Sequence, residues 1–159
     1  MRSSFWMRDA WWSSPFISMA DKVIFIKNKV RLNLTDAKKL SGWIESVAKK
    51  EKFKIAGLSY VFCNDSFLLN MNKEFLKHDY LTDIITFDLS EERGVLSGEI
   101  YISVDRVKEN ASLFKVPFQT ELRRVIIHGV LHLMGYKDKG VVNARKMREK
   151  EDSCLSLLK

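Results

Sequence analysis

Apolar and polar positions along this chain switch between two periods, and each switch marks an element. Lys22 to Ile26 (KVIFI) reads as a short strand. Thr35 to Lys52 opens on a capping-type Thr with Asp36 in the first turn. Leu40, Trp43, Ile44 and Val47 follow at helical spacing, which predicts an amphipathic helix. Gly57 marks a turn, and Leu58 to Cys63 is β-branched and aromatic enough for a strand. Asn64-Asp65-Ser66 offers a cap for a helix over Phe67–Leu76. Ile84–Leu89 and Glu99–Val104 read as two strands joined by the Glu91-Glu92-Arg93-Gly94 turn, short enough for a hairpin. Three helices close the chain: Asp105–Phe114, Phe118–Met134 and about Asn143–Leu158, the last strongly charged on one face. The order βαβαββααα predicts a single α+β domain, with a small mixed sheet of about four strands packed with about five helices.

Length and composition agree. The chain has 159 residues, 46% apolar and 30% charged, which suits one globular core and excludes fibrous or disordered classes. No apolar run approaches the roughly 20 residues that span a bilayer. Residues 1–18 (MRSSFWMRDAWWSSPFIS) hold three of the four tryptophans and keep no steady period. They lack the continuous apolar stretch of a signal peptide. The expectation is an extension outside the fold, disordered or the product of a start placed upstream of Met19, followed by a domain over 19–159.

A net charge of +7 favours polyanionic partners, nucleic acid first. Cys63 and Cys154 form no C-x-x-C pair and read as thiols of a reducing compartment, with no disulfide partner. That fits a cytoplasmic protein with no membrane partner.

The chemistry concentrates in H128-G-V-L-H132-L-M-G135-Y-K-D138. Side chains four apart share a helix face, so His128 and His132 can converge on one ion. Gly135 suits the left-handed turn that ends a helix, which returns the chain and presents Asp138 to the same ion. Two nitrogens and one oxygen suit Zn²⁺, one per chain, with Ni²⁺, Mn²⁺ and Co²⁺ as alternatives. Three protein ligands leave a fourth position open to water, whose pKa zinc lowers toward about 7. Catalysis by His128, His132 and Asp138 is therefore expected to run through that water. Zinc proteases with this spacing carry Glu after the first His as general base. Here that position is Gly129, which opposes a protease.

With Thr82–Phe87 (TDIITF) and Gly98–Ser103 (GEIYIS), the segment HGVLHLMGY resembles the YbeY family over roughly Val23 to Leu158. The resemblance implies a small mixed α+β fold and a metal-dependent, single-strand-specific endoribonuclease. It implies a hydrolase of ester bonds acting in ribosomal RNA maturation at the 16S rRNA 3′ end and in ribosome quality control. Its partners would be ribosomal RNA and the small ribosomal subunit. The family's motif ends in a third histidine, and that position falls on Asp138. An Arg that the family usually carries after an aromatic residue falls on Leu76, after Phe75. Leucine cannot contact phosphate as a guanidinium would.

Substrate contacts are expected from Arg124, Lys137, Lys139 and Lys77, which carry positive charge near the ligands or the Leu76 position. Arg124 lies one turn before His128, although it or Arg123 could instead pair with Glu121. His78 reads first as a surface histidine, with a phosphate contact as the alternative. Thr86 and Glu99 are candidates to line the cleft. The attacking group is either hydroxide or the neighbouring ribose 2′-OH. Two other classes stay open: a non-catalytic RNA-binding ribosome-assembly factor with a structural metal, and a zinc-dependent hydrolase of another substrate.

Overall fold

The near-continuous apolar runs over residues 58–63 and 99–103 put buried side chains on both faces of the sheet, so it must be covered on both sides. A computed structural model describes residues 22–158. The expected extension over residues 1–18 lies outside the described residues. The elements are β1 (Val23–Lys27), α1 (Ala37–Lys50), β2 (Lys54–Cys63), α2 (Asp65–Leu76), β3 (Ile84–Asp88), β4 (Val95–Ser103), α3 (Val104–Phe114), α4 (Phe118–Leu133) and α5 (Val141–Leu155). Four strands and five helices in the expected order confirm the α+β class.

The sheet runs β1-β2-β4-β3. β1 and β4 pair parallel to β2, and β3 returns antiparallel to β4 as the expected hairpin. On one face Tyr60, Phe62, Ile100 and Ile102 are fully buried against α1 and α4. On the other, Val61, Cys63, Ile85 and Tyr101 pack on Leu68 and Met71 of α2. Two long-range side-chain bonds tie α4 to the sheet and α1 to α5. The Tyr60 hydroxyl donates to the Ile126 carbonyl at 2.9 Å, and Trp43 Nε1 donates to the Cys154 carbonyl at 2.8 Å.

Local expectations needed three corrections. Gly57 is not a turn: it lies within β2, where the register with β4 shifts between Ile55 and Gly57. A glycine accommodates such an irregularity because the extra residue bends the strand. The cap of α1 is Asp36 rather than Thr35. Its side chain accepts from the Lys39 N–H at 3.1 Å. β4 begins at Val95, four residues earlier than its apolar run suggested, because the turn before it closes directly onto β2 through Lys54 N–H to Gly94 O at 2.8 Å.

Candidate metal centre

α4 lies close to the sheet at Gly129. A Cβ there would sit 2.9 Å from both Ile84 Cδ1 and Ile100 Cγ2, closer than such contacts normally allow. The same glycine that lacks a general base is the one that seats the helix on β3 and β4. Its neighbour His128, and His132 one turn on, face away from that contact into a cleft. α4 then stops as the sequence requires. Gly135 takes φ +103°, its N–H donates to His132 O, and Tyr136 N–H donates to Leu131 O, both at 3.0 Å. This pair of bonds is the Schellman ending, and it satisfies two carbonyls that the helix would otherwise leave free.

The turn brings Asp138 back to the histidines. His132 Nε2 lies 2.9 Å from His128 Nε2 and 3.2 Å from Asp138 Oδ2. His128 Nε2 is also 3.2 Å from that oxygen. These are the three described residues whose ligand atoms cluster tightly enough to hold a metal ion. Hydrogen bonding alone is a poor account of the triangle, since three edges meeting at two imidazole nitrogens and a carboxylate oxygen would need a proton on each edge. Tetrahedral ligands held about 2.0–2.1 Å from zinc lie about 3.3 Å apart, close to the edges observed. The donor set therefore fits a divalent ion.

Glu151 on α5 supports this arrangement. It is 4% exposed, and its Oε2 lies 2.7 Å from His128 Nδ1. Arg124 Nη1 donates to the other oxygen at 3.0 Å, and Arg124 Nη2 to Asp152 at 2.8 Å. Burial disfavours the Glu151 carboxylate, but the hydrogen bonds from His128 and Arg124 outweigh it and hold its pKa below the usual value. An ionised carboxylate only accepts, so His128 Nδ1 donates, and a neutral ring leaves its Nε2 lone pair for a metal. For His128 burial likewise lowers the pKa, and the Glu151 hydrogen bond outweighs it, so the net direction is upward.

The cleft beside these groups holds about 380 Å³. His128, His132, Asp138 and Lys139 form one wall; Leu76, His78 and Tyr80 form another, with Asp83 and Thr86 from the β3 side. Burial raises the Asp83 carboxyl above its ordinary value. Among the expected substrate residues, Lys139 reaches the lining. Lys77 and Lys137 are exposed next to lining residues but outside the lining. Arg124 faces Glu151 and Asp152 rather than the cleft. Glu121 is buried, and burial pushes its carboxyl up. Thr86 lines the cleft and Glu99 does not. Glu99 lies buried beside Tyr101, whose hydroxyl donates to it at 2.8 Å. His78, read first as a plain surface residue, lines the cleft.

Sequence reasoning missed Glu151, Asp83 and Tyr80. Asp83 carried a usable signal, because it sits inside the TDIITF segment. Cys63 and Cys154 are both buried and unpaired. No described helix is long and apolar enough to cross a membrane.

The family model described as Endoribonuclease YbeY matches residues 24–159. An Endoribonuclease YbeY from Cytophaga hutchinsonii is 49% identical over 139 residues, covering 87% of this chain and 97% of the relative. One from Flavobacterium psychrophilum is 50% identical over 115 residues, covering 72% and 81%. The solution structure of TM1509 from Thermotoga maritima aligns with TM-score 0.58 at 32% identity, covering 83% of this chain and 86% of that one. On sequence and fold together, this chain belongs to the YbeY family of endoribonucleases.

Proposed function

We propose that this chain is a zinc-dependent, single-strand-specific endoribonuclease that matures the 3′ end of 16S rRNA and takes part in ribosome quality control. One observation carries the reading: His128, His132 and Asp138 converge on a single point at the side of an open cleft. A bound zinc ion would supply positive charge and Lewis acidity beside the scissile phosphate. The chain's own groups do the rest. Glu151 holds the His128 ring and its tautomer, while Arg124 acts through Glu151 rather than on phosphate. Lys139 is placed to neutralise phosphate charge, with Lys77 and Lys137 available as the strand extends past the lining. Ribosomal RNA and the small subunit are the expected partners, which places the protein in the cytoplasm. Ni²⁺, Mn²⁺ or Co²⁺ would fit the same donors.

A second reading rests on Leu76. Its apolar side chain stands where the resemblance implies an arginine, which favours RNA binding without cleavage around a structural metal. Cleavage of a labelled single-stranded RNA, with and without chelator, decides between them. The expected result is cutting by the metal-loaded protein and none after chelation. RNA bound but never cut by the loaded protein supports the second reading. A hydrolase of another substrate that used the zinc-protease base gains nothing here, since no side chain fits at position 129 without moving Ile84 or Ile100.

A further inference from the structure

We propose that His78 and Tyr80 form a base-stacking subsite, which receives an unpaired nucleobase of the RNA strand next to the scissile phosphate. This rests on the ribonuclease reading and adds a recognition element to it.

Both rings line the cleft that holds His128, His132 and Asp138. They stack on each other, with centroids 5.1 Å apart and planes at 22°. The Tyr80 hydroxyl lies 2.9 Å from His78 Nδ1, which fixes the pair as one unit. Yet Tyr80 remains 57% exposed, with Leu76 and Leu81 also exposed beside it. An apolar and aromatic patch of this kind, set within a polar cleft, marks a contact surface.

The loop carrying the rings is held in place. Asn72 on α2 is 2% exposed and grips the loop twice. Its carbonyl accepts from the His78 N–H at 3.0 Å, and its Nδ2 donates to the Tyr80 carbonyl at 2.9 Å. Lys73 and Asp79 pair across the same loop at 3.2 Å. The ring faces are therefore set before any ligand arrives, which lowers the ordering cost of binding.

A nucleobase is the ligand that fits. Every base has a π-face, and stacking on an exposed ring is a sequence-tolerant way to hold one. Lys139, which lines the same cleft, supplies a cation for the connected phosphate. Bases inside a duplex already stack on each other and cannot reach the rings, so the subsite would also select single strands.

Equilibrium binding of a fluorescent single-stranded RNA to the chelator-treated full chain tests this without cleavage. Tyr80→Ala should bind about 5- to 150-fold more weakly, while Tyr80→Phe stays near wild type. An RNA lacking one base, scanned along the strand, should lose affinity for wild type at one position. At that position Tyr80→Ala should lose little more. In the metal-loaded protein Tyr80→Ala should raise KM and leave kcat nearly unchanged. Metal content and Tm of each variant report on the site and the fold. If wild type binds and cuts RNA but Tyr80→Ala behaves identically, the subsite is wrong and the ribonuclease reading stands. Equal losses for both proteins at every abasic position overturn it in the same way. Wild type that neither binds nor cuts RNA overturns both.

Discussion

The wall of the cleft carried by α4 is backed from behind by charged partners on α5, whereas the wall made by the loop after α2 is aromatic and apolar. On the first, His128, Glu151, Arg124 and Asp152 form a chain of hydrogen bonds, each 3.0 Å or shorter. On the second, His78 and Tyr80 stack beside Leu76, held through the loop backbone by Asn72 and by the exposed Lys73–Asp79 pair. The contrast divides the work. Metal-binding groups need fixed directions and protonation states, which buried charged partners provide. A surface that receives bases needs open faces and tolerance of sequence, which rings provide.

Removing a ligand should damage the charged wall most. His132→Ala takes away one corner of the triangle, so the purified variant should retain no zinc and cut no RNA. Elemental analysis beside a cleavage assay checks this. Wild-type metal content in that variant would sink the assignment. RNA binding through the loop wall should meanwhile survive, and its loss would show that the two walls are not separable.

Next comes the support behind the ligands. Glu151→Gln keeps the shape and removes the charge that orients His128. Outer partners of this kind typically alter metal affinity by about 10- to 100-fold. A competition titration with a chromogenic chelator should show a loss in that range. Unchanged affinity would mean that α4 alone positions the ring.

Gly129→Ala tests how α4 carries the charged wall. The added methyl meets Ile84 and Ile100 at 2.9 Å. Overpacking of this sort costs about 1–3 kcal/mol, or roughly 2–4 °C in Tm per kcal/mol in a chain of this size. Thermal melts with and without zinc should both show the drop. A Tm equal to wild type would mean that the helix shifts freely on the sheet.

These two walls also differ in how far the sequence announced them. His128 and His132 were legible because four residues make about one helical turn whatever the tertiary context. Asp138 was legible through Gly135, whose left-handed turn fixes where the chain goes next. Glu151 was not, because it meets His128 across two helices and 23 residues, and that contact exists only after α5 packs on α4. The loop wall was harder still. His78 and Tyr80 look like ordinary loop residues until Asn72 anchors their backbone. Gly57 misled for a related reason: its local signal is that of a turn, and the pairing of β2 with both neighbours overrides it.

The smallest expected effect adds charge to the wall that lacks it. Leu76 is 42% exposed at the cleft, in the position that the family resemblance gives to arginine. Leu76→Arg replaces an exposed apolar side chain near the end of α2, where a cation is compatible with the helix dipole. A guanidinium there can make one phosphate contact that the present chain lacks. Binding to single-stranded RNA should tighten a few-fold at low salt. Its dependence on log salt should steepen by about 0.7, the increment for one phosphate on a single strand. The slope is the sharper reading, because stacking on Tyr80 contributes little to it. If affinity rises with no change in slope, the arginine is stacking and the loop wall remains aromatic in character. If neither changes, Leu76 does not face the path of the strand, and the RNA enters the cleft from the Lys139 side.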